Sequence, residues 1–105
     1  MPTFDGNEGT FITLSEGANM TLAYREANPD AIKGLFFGKN KLLDILNQTG
    51  CVGIRIYFAT DDTTKEAGLV LVGATSNTND MTGGYIIDHG ISCPPNCGAD
   101  NDLNS

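Results

Sequence analysis

Three cysteines and one histidine are the residues of this chain whose types could hold a metal ion or react as thiols. Cys93 and Cys97 flank a Pro-Pro-Asn loop, His89 precedes Cys93 by four positions, and Cys51 opens a long apolar run. Three thiolates and one imidazole form a donor set that binds structural zinc tetrahedrally. The spacing argues against zinc, because the common knuckle has about two residues between its cysteines. We therefore predict no cofactor, with zinc at these four residues as an alternative.

The same cysteines have two other interpretations. A disulfide between Cys93 and Cys97 would close a very short loop and would suit an oxidising compartment. Three free thiols, with Cys51 buried as a small hydrophobic residue, is the simplest interpretation. The sequence does not choose between them.

No catalytic residue is predicted. A cysteine nucleophile with His89 as its base would need a third group to orient the imidazole. Asp88 is next to His89 in sequence, but neighbours in a strand point to opposite faces, so we expect Asp88 not to fill that role. The chain also lacks a nucleophile elbow, a phosphate-binding loop and a dinucleotide fingerprint. These absences make an enzyme the weakest hypothesis.

Arg55 and Tyr57 are the strongest candidates for a binding site. They alternate along one predicted strand, and a guanidinium beside a phenol could bind a carboxylate or a phosphate. The alternative is an arginine that pairs with an acid of its own chain or of a dimer partner. Two further bases, Lys33 and Arg25, are included in this predicted site.

Two helices are predicted before these strands. The first begins after a cap at Ser15 and ends at residues 28–29, because the residue before proline disfavours the helical conformation. The second spans residues 41–49, between a cap at Asn40 and a left-handed glycine at Gly50. The apolar faces consist of Met20, Ala23, Tyr24 and Ala27 in the first helix and of Leu42, Ile45 and Leu46 in the second.

A β-hairpin built from residues 52–59 and 69–75 is the predicted centre of the fold. Both runs are rich in β-branched and aromatic residues, and residues 85–89 are a predicted last strand. Helices followed by strands predict an α+β domain, with two N-terminal helices packed on a small, mainly antiparallel sheet. We expect one strand face, Val52, Ile54, Ile56 and Phe58, to pack on the second helix.

The second strand of the hairpin is apolar on both faces, which two helices on one side cannot cover. We therefore predict either a symmetric homodimer or a loop, residues 30–38, folded over the open face. The adjacent pair Phe36 and Phe37 in that loop is expected to be buried.

The predicted organisation is a loose arm at residues 1–9, one domain at 10–97 and a polar acidic tail at 98–105. The net charge of the 105 residues is −7, which argues against nucleic acid and membrane as partners. The N-terminal residues lack the basic and apolar regions of a secretory signal, and this predicts a cytoplasmic location.

Four stretches of the chain resemble a family of small bacterial proteins. They are Asn28-Pro29-Asp30-Ala31-Ile32-Lys33-Gly34, Phe36-Phe37-Gly38-Lys39, Gly50-Cys51-Val52-Gly53-Ile54-Arg55-Ile56-Tyr57 and Cys93-Pro94-Pro95-Asn96-Cys97. The resemblance covers about residues 15–97. The family is uncharacterised, so the resemblance implies that the central strand and the Cys-Pro-Pro-x-Cys loop are family features, and it implies no activity.

These observations predict a small binding or assembly module that self-associates through its sheet. One alternative is a small-ligand sensor that binds an anion at Arg55 and Tyr57. The other is a small domain stabilised by zinc.

Overall fold

The structure is a computed structural model that describes residues 3–105. The chain forms two compact units. The first comprises residues 37–90 with the N-terminal segment up to Glu8, and the second comprises residues 9–36 and 91–105. The predicted boundaries at 1–9, 10–97 and 98–105 stay a prediction, and Met1 and Pro2 of the predicted arm lie outside the described residues.

Two helices and antiparallel strands confirm the predicted α+β class. In chain order the elements are α1 (Leu14–Ala27), β1 (Gly34–Phe36), α2 (Lys39–Leu46), β2 (Cys51–Thr60), β3 (Ala67–Thr75), β4 (Ile86–Ile87) and β5 (Ile91–Cys93). Neither helix in residues 3–105 is long and apolar enough to cross a lipid bilayer.

A three-stranded antiparallel sheet, in the order β2-β3-β4, is the centre of the first unit. Ile56 of β2 pairs with Leu71 of β3, which also pairs with Ile87 of β4. The hairpin predicted at 52–59 and 69–75 is therefore confirmed. β-branched and aromatic residues favour such pleated, half-buried surfaces.

The buried core lies in the first unit, where α2 contacts both β2 and β3. Packing is close at Gly73, where a Cβ atom would lie 3.0 Å from the Cys51 Sγ and 3.0 Å from the Gln48 Nε2. A glycine at this position lets the end of α2 approach the sheet. The buried apolar residues and their exposed fractions are Ile45 (0%), Leu71 (3%), Val72 (4%) and Ala74 (3%).

Part of the predicted core of β2 is exposed. The side chain of Ile56 is 53% exposed and that of Phe58 is 94% exposed, so the prediction that they pack on α2 is wrong. The reason is length, because eight helical residues span about 12 Å and ten strand residues span about 33 Å. Gln48, just beyond α2, lies against Gly73, the pairing partner of Ile54. The distal half of β2 extends beyond this contact.

Helix α2 forms where the spacing predicts it, with shifted ends. It begins at Lys39 after Gly38 and ends at Leu46, so the predicted cap at Asn40 is wrong. Gly50 adopts the predicted left-handed conformation, with φ of +86°. Of the predicted apolar stripe, Ile45 is buried and Leu46 is 42% exposed.

Helix α1 differs more from its prediction. Thr13, not Ser15, is its N-cap, and the Thr13 Oγ1 accepts a hydrogen bond from the Glu16 backbone N–H at 3.1 Å. No residue of α1 is buried, and the predicted apolar face is open, with Met20 57% and Tyr24 49% exposed.

The second unit contains a small sheet that the pattern of residues does not predict. Strand β1 pairs antiparallel with β5, and the Lys33 N–H donates to the Cys93 carbonyl at 2.6 Å. Phe36, in β1, is 65% exposed, so the prediction that this residue is buried is wrong.

The last predicted strand, at 85–89, lies in the first unit and is shorter than predicted. It is reduced to β4, and His89 beyond it takes a left-handed φ of +58° that a strand does not accommodate.

Candidate functional site

Arg55, Tyr57 and Asp80 form one polar cluster in the first unit. The Arg55 guanidinium donates to the Asp80 carboxylate at 2.5 Å and to the Thr78 carbonyl at 3.0 Å. The Tyr57 hydroxyl donates to the other carboxylate oxygen of Asp80. Arg55 and Asp80 are half-buried, with side chains 30% and 19% exposed. The predicted neighbours Arg55 and Tyr57 are thus joined by an acid of their own chain.

The register of the sheet brings these three side chains together. Arg55 pairs with Val72 and Tyr57 with Val70, while Asp80 forms an isolated antiparallel bridge with Ala74. Residues directly opposite each other in an antiparallel pair have side chains on the same face, and so do alternate residues of one strand. All three polar side chains therefore lie on one face of β2 and β3.

A tight turn returns the chain from β3 to Asp80. The Thr75 N–H donates to the Asn79 carbonyl at 2.9 Å, and the Thr78 N–H donates to the Thr75 carbonyl at 3.0 Å. Thr78 has φ of +69°, a left-handed conformation that is uncommon outside glycine. This turn also aims the Thr78 carbonyl at Arg55.

The three groups shift one another's pKa values. The pKa of Asp80 is lowered, first because the Tyr57 hydroxyl donates to its carboxylate and then because Arg55 donates to it and attracts its charge. The same contact raises the pKa of Tyr57, because a phenolate beside Asp80 would lose the hydrogen bond and face a like charge. The pKa of Arg55 is raised as well, chiefly by its hydrogen bond to Asp80. The cluster is a pre-formed ion pair with a phenol attached.

A cavity of about 340 Å³ opens beside this cluster. The Arg55 guanidinium lies over the Phe4 ring, 5.2 Å from its centroid, in a cation–π geometry. The N-terminal segment is fixed there by the Phe4 N–H, which donates to the Ser76 carbonyl at 2.9 Å. The cavity is lined by Phe4, Gly6, Glu8, Val52, Gly53, Ile54, Arg55 and Ala74.

The other two predicted binding residues, Arg25 and Lys33, belong to the second unit and bind its C-terminal segment. Arg25 donates to the backbone oxygens of Leu103 at 2.6 Å and Ser105 at 2.8 Å. Lys33 donates to the Asn104 carbonyl at 2.6 Å. The structure therefore brings these two bases together around residues 103–105.

The four predicted metal ligands are arranged differently from a zinc site. Cys93 and Cys97 form a disulfide with each other, and the free Cys51 thiol donates to the Gly53 carbonyl at 3.2 Å. Across residues 3–105, no group of three or more His, Cys, Asp or Glu side chains is placed to hold a metal ion. Zinc stays a prediction that requires the disulfide to be reduced, because disulfide sulfurs are not thiolates.

His89 and Asp88 correct one expectation about the end of the sheet. The His89 Nε2 lies 3.3 Å from the Asp88 Oδ1, although the two were expected to point apart. Strand alternation does not apply, because β4 ends at Ile87 and His89 is left-handed. With side chains 81% and 57% exposed, the pair is open to solvent and weakly held.

Asp80 is the residue that sequence reasoning missed. It stands at the end of a turn-forming run, Ser76-Asn77-Thr78-Asn79-Asp80. Aspartate is common in turns, so its presence there does not indicate a site. The available signal was the hairpin itself, since a chain that turns back after β3 must pass beside the face that carries Arg55.

The fold and the cluster define a small α+β protein with an intrachain Arg–Asp–Tyr site on its central hairpin. Comparison with models of protein families, with curated proteins and with solved structures found no match. The family resemblance stays a prediction.

Proposed function

We propose that this protein is a small binding and assembly module that self-associates through its sheet, in the simplest case as a homodimer. The observation that carries the proposal is the position of β2. It spans ten residues and lies at the edge of the sheet order β2-β3-β4. Within residues 3–105 only β3 pairs with it, so one side of its backbone has no partner strand.

An unpaired edge of this length attracts another strand, and proteins usually protect such edges with proline, lysine or a very short strand. β2 has no proline and no lysine, and Arg55 is its sole charged residue. That charge is already paired with Asp80. Two other protections, a bulge and a covering segment, are confined to the start of β2, where the register shifts between Cys51 and Gly53 and Gly6 lies beside Val52. The rest of the edge lacks the common features that prevent strand pairing.

The distal half of the same strand also exposes apolar surface. Ile56 is 53% exposed, Tyr57 46% and Phe58 94%. Ile56 and Phe58 lie on one face of β2 and Tyr57 lies on the other, so a partner packed on one face could not cover all three. Exposed apolar side chains that are neighbours on one face, as Ile56 and Phe58 are, mark interaction sites. Pairing along the β2 backbone would place partner side chains beside all three residues, and this favours a partner that adds a strand.

The mass in solution tests this proposal. One chain has a mass of 11.1 kDa. Light scattering over a range of protein concentrations is expected to give twice this mass at high concentration, with dissociation on dilution. A monomer at the highest concentration would contradict self-association.

A second candidate is a small-ligand site for an anion at Arg55 and Tyr57, and the adjacent cavity favours it. Arg55 lines that cavity, but its guanidinium is occupied by Asp80. An anion would have to displace this carboxylate, so Asp80→Asn should strengthen phosphate or carboxylate binding. Thermal-shift measurements with both anions, on both proteins, test this. No shift in either protein would contradict it.

The remaining predictions concern the thiols and the location. A zinc-stabilised domain and the disulfide exclude each other, because Cys93 and Cys97 serve either as ligands or as a disulfide. Elemental analysis and a thiol count in denaturant separate the two.

The cytoplasmic location likewise stays a prediction, and the disulfide favours an oxidising compartment instead. Alkylation of thiols in freshly lysed native cells would decide between them.

The finer packing of the fold is also part of the proposal. Contacts of α2 with β2 and β3 support the prediction that α2 covers the hairpin. The prediction that both helices pack on the same sheet, and membership of the family of small bacterial proteins, rest on the sequence pattern.

A further inference from the structure

We propose that two copies of β2 pair antiparallel about a two-fold axis that lies between their two Ile56 residues, so that each Ile56 faces its own copy. We refer to this arrangement as an axis through Ile56. The proposal rests on the self-association above and names its geometry. The result would be one continuous six-stranded sheet, in which the free backbone groups of each β2 bond to those of its copy. Antiparallel edge pairing needs no rearrangement of either protomer.

Symmetry restricts the registers that such a pair can adopt. A two-fold axis perpendicular to the sheet keeps each face on its own side, so residues that lie opposite each other must both come from the same face. On β2 one face carries Arg55 and Tyr57, and the other carries Ile54, Ile56 and Phe58. An axis through one residue meets this condition, whereas an axis between two residues does not.

The charge of Arg55 then excludes one register, and the contact of its guanidinium with an aromatic ring favours another. An axis through Arg55 would place the two guanidinium groups directly opposite each other, and like charges in that position are destabilising. An axis through Ile56 instead places Arg55 opposite the partner's Tyr57 and Ile54 opposite the partner's Phe58. An axis through Tyr57 would leave Arg55 opposite Ala59 and forgo its contact with the phenol ring.

The Ile56 register also gives an apolar neighbour to the most exposed side chain of the strand. Phe58 is 94% exposed, and its opposite residue, Ile54, lines the cavity of about 340 Å³. At the far end the N-terminal segment borders the edge, since a Cβ on Gly6 would lie 3.3 Å from the Val52 carbonyl. The pairs from residue 53 to residue 59 therefore carry the interface.

The absence of acids from β2 favours a second copy of this acidic chain as the partner at this edge. The whole chain has a net charge of −7, so most surfaces of two copies repel each other. β2 contains no Asp or Glu, and its one base is paired with Asp80 within the chain. This edge is thus a surface without acids, where two copies can meet if the register keeps the two Arg55 side chains apart.

Cysteine cross-linking tests the register. A residue on the axis faces its own copy, so Ile56→Cys in a Cys51→Ser background is expected to oxidise to a covalent dimer. The matched control is Phe58→Cys in the same background, on the same face of the strand and more exposed. We expect at least a tenfold faster cross-link at position 56. A cross-link no faster than at position 58 would overturn the register.

A charge pair tests the edge itself without sulfur chemistry. Ile56→Lys and Ile56→Glu should each be monomeric, because each places two like charges opposite each other, while their equimolar mixture should form a heterodimer in native mass spectrometry. The control substitutions Phe11→Lys and Phe11→Glu, at a residue 104% exposed, should leave the dimer unchanged.

The outcomes separate this inference from the proposed function. If the unmodified protein is a monomer, both fail. If it is a dimer but the two Ile56 charge variants also remain dimers, self-association stands and the β2 interface is wrong. Circular dichroism of each variant establishes that it is folded, as expected for a half-exposed position.

Discussion

The two compact units of this protein differ in the interactions that stabilise each of them internally. The first contains every fully buried apolar side chain of residues 3–105, around Ile45 and the middle of β3. The second contains a helix, α1, with no buried residue. Its contacts include a two-stranded sheet, a disulfide, and hydrogen bonds from Arg25 and Lys33 to the C-terminal segment.

This difference follows from how much apolar surface each unit can bury. A hairpin of two long strands with a helix across it encloses a core, and burial contributes about 25 cal/mol per Å². A small segment with a short sheet cannot enclose one, and small domains of that kind commonly depend on disulfides. We expect damage to the first unit to act through packing and damage to the second through polar and covalent contacts.

The largest expected effect is from Ile45→Ala. Ile45 is 0% exposed, so truncating it leaves a cavity in the core of the first unit. The free energy of unfolding should fall by about 2 to 5 kcal/mol. Leu46→Ala, at a neighbouring residue that is 42% exposed, is the control and should cost much less. Equal losses in the two variants, measured by urea unfolding, would mean that the core is not centred on Ile45.

The next effect is removal of the disulfide. Cys93 and Cys97 are four positions apart, so the loop that they close is short. In the chain-entropy account such a loop contributes about 2 kcal/mol. Cys93→Ser with Cys97→Ser should increase hydrogen exchange in β1, β5 and α1 and leave β2 and β3 unchanged.

Chemical reduction of the unmodified protein is the control for that double variant. It should reproduce the same exchange pattern without any substitution. Faster exchange in β2 and β3 would show that the two units unfold together, and this would break the comparison.

A smaller effect is expected from Arg25→Ala. Arg25 donates to two backbone oxygens, of Leu103 and Ser105. Its loss should cost about 1 kcal/mol, the usual value for a hydrogen bond, and should release residues 103–105. The narrowing of their NMR signals is the readout, with Lys41→Ala in α2 as a control that should leave them unchanged.

The smallest expected effect is the dependence of stability on pH through Asp80. Its pKa is lowered from 3.8, so its contribution is present above that value and is lost as the pH falls through the lowered value. The pKa of Tyr57 is raised from 10.0, so its contribution is present below that value and is lost as the pH rises further. The effect is small because both groups are partly exposed and screened by solvent.

Asp80→Asn should flatten both ends of this pH profile. Urea unfolding between about pH 5 and about pH 2 reads the acid end. Asp62→Asn, in the exposed loop after β2, is the control. If the profiles of the two variants coincide, the cluster does not contribute to stability.

Much of the first unit is predictable from local sequence. The runs around Ile54 and Val70 combine β-branched residues with a bounding turn, and the spacing of Leu42 and Ile45 indicates a helix. These signals are short-range, because they depend on backbone preference and side-chain periodicity within about ten residues. The hairpin and α2 form where the sequence predicts them for that reason, whereas the exact ends of α2 and the burial of Ile56 and Phe58 do not follow from local signals.

The candidate site was only half predictable. Arg55 and Tyr57 share a strand face by simple alternation, so their proximity follows from the sequence. Their partner Asp80 is 25 positions from Arg55, and its place depends on the register of β3 and the turn after it.

The α+β class, the central hairpin and the helical spacing of α2 follow from local sequence, since each depends on neighbouring residues. The joining of Asp80 to Arg55 and Tyr57, the pairing of β1 with β5 and the exposure of Phe58 became visible only in the folded protein. Those features depend on contacts between distant segments and on the relative lengths of a helix and a strand. Such contacts form only when the whole chain has folded, and local residue preferences do not encode them.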